Sequence, residues 1–127
     1  MTKNEQDIQH QQALFWLTYS RQLSDTIRYV EALAAIERAI KLDQTSADAY
    51  YVRGTCLAML ARYDEALTDF NKSLKLDELS VPAWDGLAWV LGIMGKKDEA
   101  LYAINRALQL DPDYFEAVKR KKRLEAM

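Results

Sequence analysis

Only a few side chains in this sequence are of the types that bind metals or act as nucleophiles, and they stand apart from one another. His10 is the single histidine, and no cysteine lies near it at the spacing of metal ligands. Because structural zinc takes four such ligands, the sequence predicts no metal site. Cys56 is the single cysteine, so no internal disulfide can form, and a reducing compartment is indicated. With no basic neighbour placed to activate its thiol, Cys56 is expected to pack as a small buried hydrophobic residue.

The acidic residues and the glycines give no sign of a catalytic centre either. Asp and Glu recur at the predicted starts of helices, and none of them forms a pair set apart for acid–base catalysis. No glycine-rich loop of the kind that cradles phosphates is present. We therefore predict a protein that is not an enzyme and that needs no cofactor and no metal.

One run of like charge covers residues 119–123, which read Lys-Arg-Lys-Lys-Arg. Cations suit the C-terminal end of a helix, and the solvent-exposed side of a terminal helix carries charge in any case. The alternative is contact with nucleic acid or an acidic partner through this basic helix. The formal net charge of −2 gives no overall attraction to nucleic acid, so we rank that alternative last.

Length and composition bound the class of protein. The chain has 127 residues, half of them hydrophobic, which suffices for one domain with a core. Its polar N-terminal segment lacks the apolar run of a signal peptide, and the uncharged stretch 87–95 is too short to span a bilayer. We therefore expect a cytoplasmic protein with no membrane association.

A period of 34 residues organises the chain. Identical residues recur at this spacing in six columns: Leu23, Leu57 and Leu91; Glu31, Glu65 and Glu99; Ala32, Ala66 and Ala100; Leu33, Leu67 and Leu101; Leu42, Leu76 and Leu110; Asp43, Asp77 and Asp111. Within each unit, apolar residues return at spacings of three, four and seven, which predicts two helices joined by a tight break. Because one helix pair cannot bury its apolar face alone, the pairs are expected to stack.

The period divides the chain into residues 1–12, either a tail or added helical turns, and residues 13–127, a stacked domain. The three units are 13–46, 47–80 and 81–114, and residues 115–127 begin like a fourth. In that last segment Phe115, Val118 and Leu124 form a thin apolar edge among charged residues. A terminal capping helix needs one face to cover the stack and one face for water, and this segment offers both.

Residues that favour helix ends mark the expected boundaries. Ser46 and Ser80 are predicted N-caps of the first helices of the second and third units. Asp64 and Asp98 are predicted N-caps of the second helices in the same units. Gly95 is predicted to end the first helix of the third unit, because glycine favours the position just after a helix.

Two further glycines, Gly86 and Gly92, fall inside the first helix of the third unit. Each costs roughly 1 kcal/mol relative to alanine at a helix interior position. Such glycines indicate either close packing between helices or a bare patch of binding surface, and the sequence leaves both interpretations open.

These columns resemble the tetratricopeptide repeat. With each unit numbered from its first residue, the family's aromatic position 4 and its small positions 8, 20 and 27 hold these residues: Trp16, Tyr50 and Trp84; Ser20, Gly54 and Ala88; Ala32, Ala66 and Ala100; Ala39, Ser73 and Ala107. The family's proline at position 32 is present only as Pro112. The resemblance covers residues 13–114. It implies an all-α fold, a right-handed superhelical stack of three antiparallel helix pairs (an α-solenoid) with a capping helix.

The resemblance also implies a function, because the first helices of such stacks line a concave groove that binds extended peptides or partner segments. Carried onto this sequence, the family's groove positions give these candidate residues: Leu17, Arg21, Asp48, Tyr51, Thr55, Met59, Asp85, Trp89, Ile93, Lys119 and Arg123. Five of them, Leu17, Tyr51, Met59, Trp89 and Ile93, are apolar or aromatic beyond what the repeat's core needs, which suggests a binding surface. The rival interpretation is that the N-terminal segment or a second copy covers Tyr51 and Trp89.

One subtype of the family is not expected. Members that clamp the C-terminal carboxylate of heat-shock chaperones use Lys, Asn, Asn, Lys and Arg at five groove positions. Here those positions hold Leu17, Arg21, Val52, Pro82 and Gly86, or, one repeat later, Tyr51, Thr55, Gly86, Glu116 and Arg120. We therefore expect a protein or peptide partner other than a chaperone tail. The alternative functions are a self-assembling structural module, which would be a homo-oligomer, and the contact through the basic helix.

Overall fold

The computed structural model describes residues 1–127 and contains seven α-helices and no strands. The helices are α1 (Lys3–Asp25), α2 (Tyr29–Leu42), α3 (Ala47–Met59), α4 (Tyr63–Leu76), α5 (Val81–Ile93), α6 (Lys97–Leu110) and α7 (Phe115–Glu125). α1 packs with α2, α3 with α4, and α5 with α6, and each pair also contacts the helix that follows it. None of the seven helices combines the length and the apolar composition that a bilayer crossing requires.

The first helix is longer than its counterparts in the other pairs. α1 has 23 residues, whereas α3 and α5 have 13 each. It begins after Thr2, whose side chain accepts a hydrogen bond of 3.1 Å from the backbone N–H of Glu5. Gln9 Nε2 donates a 2.8 Å hydrogen bond to the carbonyl of Leu42 and so ties the added turns of α1 to the end of α2.

The serine caps are where the sequence predicts them, and the aspartate caps are not. Ser46 and Ser80 precede α3 and α5, and each accepts a hydrogen bond from the backbone N–H three residues later. The second helices begin earlier than predicted, with Arg62 and Lys96 as N-caps that make no side-chain cap hydrogen bond. The prediction that Asp64 and Asp98 cap these helices is wrong. Both lie in the first helical turn, where their negative charge suits the helix dipole.

The tight break inside each pair explains this early start. One residue per break has a left-handed backbone: Ile27 (φ 62°), Ala61 (φ 60°) and Gly95 (φ 77°), all in the same repeat column. The residue after it then donates a hydrogen bond from its backbone N–H to the carbonyl five residues earlier, as from Arg62 to Leu57 at 2.8 Å. The chain therefore re-enters a helix at once. Gly95 ends α5 as predicted. Of the three residues, it alone lacks a Cβ atom, so it adopts the left-handed backbone conformation without steric strain.

A single aromatic ring fixes the approach of two neighbouring pairs. Phe70 is fully buried, and a Cβ atom placed on Gly54 or Gly86 would come within 3.0 Å or 2.7 Å of its Cε1 atom. A Cβ atom on Gly92 would come within 2.9 Å of a methyl group of Leu124. Gly86 and Gly92 are therefore explained by close packing, which decides between the two interpretations that the sequence left open.

The capping helix α7 buries different residues from those expected. Ala117 and Leu124, seven residues apart, are buried in the core, and Val118 is partly buried. Phe115 is exposed, so its prediction as part of the covering edge is wrong. Phe115 is the first residue of α7, and the face that packs on the stack begins two residues later.

Candidate functional site

The first helices of the pairs form one continuous wall. α1 contacts α3, α3 contacts α5, and α5 contacts α7, whereas the second helices α2, α4 and α6 make no such contacts with one another. The first helices therefore lie closer together than the second helices do, and the stack curves with α1, α3, α5 and α7 on its inner side. This inner face is where the sequence places the candidate residues.

The candidate residues differ in how much of each remains accessible. Arg21, Asp48, Met59, Ile93, Lys119 and Arg123 are exposed; Tyr51, Thr55 and Trp89 are partly buried; Leu17 and Asp85 are buried. Leu17 is only 7% exposed and belongs to the hydrophobic core. The prediction that Leu17 is an apolar residue available for ligand binding is therefore wrong, because its side chain is buried in the packing of α1 against the core.

Asp85 is likewise not a free negative charge. Arg120, on α7, donates to both carboxylate oxygens of Asp85, at 2.6 Å and 3.2 Å. This two-bond ion pair joins α5 to α7 and is largely shielded from water. The role of Arg120 is not evident from the sequence, because this residue lies inside the basic run and its partner is 35 residues away.

Aromatic side chains surround this ion pair. The guanidinium of Arg120 lies 5.9 Å from the ring centroid of Trp89, within the range of a cation–π contact. The ring of Tyr51 packs 5.9 Å from that of Phe70, and burial raises the pKa of the Tyr51 phenol. Burial, followed by the proximity of Tyr51 and Asp85, raises the pKa of Tyr114 to about 12. Both phenols therefore stay protonated at neutral pH and can donate hydrogen bonds.

A pocket opens between α1 and α3 at the N-terminal side of this cluster. It has a volume of about 270 Å³ and is lined by Arg21, Ser24, Asp25, Tyr51, Val52 and Thr55. Arg21 and Asp48 face each other across the two helices at 3.7 Å, and both are exposed. Thr55 Oγ1 donates a 3.0 Å hydrogen bond to the carbonyl of Tyr51. The pocket thus combines a phenol ring with charges of both signs.

Positive charge remains free at the opposite end of the face. Lys119 lies with its amine 4.5 Å from the ring centroid of Phe115, and Arg123 is exposed. Neither of them forms an ion pair, whereas Arg120 is occupied by Asp85. The inner face therefore runs from a mixed-charge pocket at α1 and α3, across an aromatic centre, to a basic end on α7.

The side chains that could hold a metal ion or act as a nucleophile lie apart from one another. No group of three or more His, Cys, Asp or Glu side chains is arranged to hold a metal ion. Cys56 is buried, as predicted, and burial raises the pKa of its thiol to about 11. The thiol therefore stays protonated and unreactive at neutral pH.

Comparison with known proteins matches two segments of the chain to family models. Residues 47–78 and residues 81–114 each match a model described as tetratricopeptide repeat. A search of curated protein sequences gave no match.

Comparison with solved structures gives the same fold. The TPR domain of Arabidopsis OM64 is 21% identical, with a TM-score of 0.89 over 93% of this chain and 98% of that one. The first TPR of Spaghetti (RPAP3), bound to the HSP90 peptide SRMEEVD, is 21% identical, with a TM-score of 0.87 over 91% and 92%. YrrB, a TPR protein with an unusual peptide-binding site, is 27% identical, with a TM-score of 0.76 over 87% of this chain and 57% of its own. The predicted right-handed stack of three helix pairs with a capping helix is confirmed.

Proposed function

Because the chain belongs to the tetratricopeptide repeat family, we propose that it is a non-catalytic protein-interaction module whose concave face binds an extended peptide or partner segment. The observation that carries this proposal is the aromatic and apolar surface left uncovered on the inner face. Tyr51 and Trp89 flank the Asp85–Arg120 ion pair and keep part of their rings accessible. Both side chains also pack against the core, and the parts that stay exposed are the surface that a ligand would contact.

Two aliphatic side chains extend this surface. Met59 and Ile93 occupy the same repeat column, in the last turns of α3 and α5, and about half of each remains exposed. Met adapts its shape to different ligand side chains, and Ile offers a rigid apolar contact. Together with Tyr51 and Trp89 they provide a strip on which apolar side chains of an extended ligand can pack.

The charges at the two ends set the polarity of the ligand. Lys119 and Arg123 on α7 favour an acidic residue at that end. At the other end, the pocket of Arg21, Asp25, Tyr51 and Thr55 suits a polar side chain that can bond to both signs of charge. We infer a ligand with a central apolar or aromatic residue and an acidic residue toward α7.

A free C-terminal carboxylate is not the expected anchor. The RPAP3 structures hold HSP90 and HSP70 peptides that end in EEVD or IEEVD. When the clamp positions are counted from the second repeat, the last two hold Glu116 and Arg120. The guanidinium of Arg120 is already paired with the carboxylate of Asp85. Counted from the first repeat, the last two hold Pro82 and Gly86, which carry no charge. We therefore propose an internal peptide segment as the ligand.

The compartment and the domain division complete the proposal. One buried thiol and no disulfide fit the cytoplasm. We propose residues 13–127 as the interaction domain, with repeats 13–46, 47–80 and 81–114 and the cap 115–127. Residues 1–12 are then an N-terminal extension, most of which continues α1.

The proposal is tested by selecting random twelve-residue peptides displayed on phage against the wild-type chain and measuring their affinities by calorimetry. We expect the double variant Tyr51→Ala, Trp89→Ala to bind the selected peptides at least about tenfold more weakly, because anchor aromatics dominate such surfaces. Circular dichroism checks that helicity is unchanged. The matched control is Tyr102→Ala, an exposed aromatic on the second helix α6. Unchanged affinity in the double variant, or equal loss in the control, would overturn the proposal.

A further inference from the structure

The indole of Trp16 lacks a hydrogen bond that its counterparts in the other two repeats make. In the same column, the Tyr50 hydroxyl donates to the carbonyl of Gln44 at 3.2 Å. The Trp84 indole N–H donates to the carbonyl of Glu78 at 2.9 Å. Both carbonyls lie in linkers, whereas α1 is helical six residues before Trp16, where the carbonyls accept helical bonds. Trp16 Nε1 has no partner in the chain, and it is accessible to water, because every buried polar side-chain atom has one.

Trp16 lines a pocket between α1 and α2, which we call the α1–α2 pocket. The pocket has a volume of about 730 Å³. Phe15 and Trp16 form its apolar part, with ring centroids 5.2 Å apart, and Phe15 is 60% exposed. Arg38 and Lys41 of α2 also line it, and the guanidinium of Arg38 lies 4.7 Å from the ring centroid of Trp16. Uncovered aromatic surface and two cations therefore share one pocket.

The positive charge of Arg38 and Lys41 is not neutralised within the chain. Neither residue forms an ion pair, and no acidic residue lines the pocket. On the α1 side, residues 11–20 are all uncharged. On the α2 side, Glu37 lines a different pocket, and the carboxylate of Asp43 accepts hydrogen bonds from the residue two positions later. A negatively charged ligand would therefore meet no repulsion from the walls of the α1–α2 pocket.

The polar groups of the pocket also restrict the chemistry of a ligand. An indole N–H, a guanidinium and an ammonium group donate hydrogen bonds and accept none, so the ligand has to supply the acceptors. The two positive charges favour carboxylates among the possible acceptors. Arg38 and Lys41 are three residues apart on one helix, with about 5–6 Å between their Cβ atoms, so two neighbouring acidic side chains can reach both. The exposed ring of Phe15 offers an adjacent apolar contact.

We propose that the α1–α2 pocket docks an acidic segment of a partner protein. Carboxylates of the segment pair with Arg38 and Lys41, and an adjacent apolar side chain packs on Phe15. This site shares no lining residue with the pocket of the inner face, so it is separate from the proposed peptide groove. Two free cations are too few for nucleic acid, which binds through many phosphate contacts.

Two peptides with blocked ends test the proposal: Glu-Glu-Leu-Phe-Glu-Glu and its uncharged counterpart Gln-Gln-Leu-Phe-Gln-Gln. They are titrated into the isotope-labelled full chain, and the three indole N–H signals are followed by NMR after assignment with single Trp→Phe variants. We expect the acidic peptide to shift the Trp16 signal and to leave that of Trp84, whose N–H is already bonded, in place. The uncharged peptide should bind at least about tenfold more weakly. An unmoved Trp16 signal, or equal affinity of the two peptides, overturns the proposal.

Charge variants locate the contact. Arg38→Gln combined with Lys41→Gln should weaken binding of the acidic peptide by at least about tenfold. The matched control is Lys72→Gln combined with Lys75→Gln, which removes the same charge from the same two columns of the second repeat. The control should bind as the wild type does, because the aromatic residue of its repeat, Tyr50, is buried and already hydrogen-bonded. Equal losses in the two double variants would show an effect of net charge alone and overturn the proposed site.

Two further measurements separate this pocket from the other possible binding modes. The double variant Tyr51→Ala, Trp89→Ala, which tests the groove, should leave the Trp16 shift unchanged. Loss of the shift in that variant would place the acidic peptide on the inner face and overturn the proposal. A short oligothymidylate should not shift the Trp16 signal at the concentrations at which the acidic peptide does. A stronger response to the oligonucleotide would assign the pocket to nucleic acid and likewise overturn it.

Discussion

Two clefts on the outer side of the stack occupy the same place in successive repeats. The first, of about 250 Å³, lies over α3 between α2 and α4 and is lined by Glu37, Arg53, Leu57, Glu65, Thr68 and Asp69. The second, of about 380 Å³, lies over α5 between α4 and α6 and is lined by Leu67, Asn71, Trp84, Leu87, Leu91, Lys96, Glu99, Tyr102 and Ala103. The first cleft is polar and the second is mostly apolar, although the helices around them are arranged alike.

The difference is concentrated in one pair of columns. In the second repeat Arg53 donates to both carboxylate oxygens of Asp69, at 2.7 Å and 2.9 Å. In the third repeat the same columns hold Leu87 and Ala103, both buried. An ion pair and a hydrocarbon contact thus fill equivalent space. The fold requires that the two side chains match each other, and it leaves their chemistry open.

The largest effect is expected from a substitution of Phe70, the residue through which the second and third repeats pack against each other. Phe70→Ala should lower the free energy of unfolding by about 3–5 kcal/mol, because the ring is fully buried against Gly54 and Gly86. Urea unfolding followed by circular dichroism measures it, with the exposed Tyr102→Ala as control. A loss below about 1 kcal/mol would mean that the two repeats do not meet through this ring.

The next largest effect is expected from removing the Arg53–Asp69 ion pair, which only the polar cleft contains. Asp69→Ala should lower the free energy of unfolding by about 2–3 kcal/mol. This is less than the loss on breaking a fully buried ion pair, because the Arg53 side chain is 28% exposed and its charge can be solvated by water. Adding Arg53→Leu gives the second repeat the residues of the third and should recover most of that loss. A double variant as unstable as the single one would show that the two repeats are not interchangeable at these columns.

A third difference between the repeats depends on pH. Cys56 occupies the column of Val90, and burial raises its thiol pKa from 9.0 to about 11. The folded state holds this proton more tightly than the unfolded state does, so the stability is intact below pH 9 and falls as the pH rises to 11. Between pH 8 and pH 11, the free energy of unfolding of the Cys56→Val variant should therefore fall by about 2 kcal/mol less than that of the wild type. Identical pH profiles in urea unfolding would contradict this assignment.

The smallest effect concerns the rims of the clefts. Arg62 and Glu65 form an exposed ion pair at 2.7 Å beside the first cleft, whereas Lys96 and Glu99 form none beside the second. Arg62→Lys copies the third repeat into the second. We expect no resolvable change in the urea midpoint, because exposed ion pairs are screened by water. A clear drop would show that this rim pair stabilises the turn before α4.

Local and periodic features of the fold could be predicted from the sequence. The 34-residue period determines the number and order of the helices, and Ser46 and Ser80 mark two helix starts through contacts three residues away. The prediction from Asp64 and Asp98 was wrong because the left-handed turn before them restarts the helix two residues earlier. That turn tolerates Ile27 and Ala61, so composition does not reveal it.

The candidate site was predicted less completely, because its details depend on contacts between repeats. The Asp85–Arg120 pair requires α7 to lie against α5, which no local spacing shows. Leu17 stands in a groove column yet is buried, as is Asp85 in the same column of the third repeat, whereas Tyr51 between them is only partly buried. Column positions therefore predict which helix face a residue occupies, and the neighbouring repeats decide how much of it stays accessible.

The ring of Phe70 acts as a spacer with a consequence on the opposite side of the stack. It is wedged between Gly54 on α3 and Gly86 on α5, and these same helices carry Tyr51 and Trp89 on their inner faces. The thickness of the Phe70 ring therefore sets the distance between α3 and α5 along the inner face. A leucine at this site would draw the two walls together, and a tryptophan would spread them. For the proposed peptide ligand, the available width is therefore set by a buried residue rather than by the residues of the inner face.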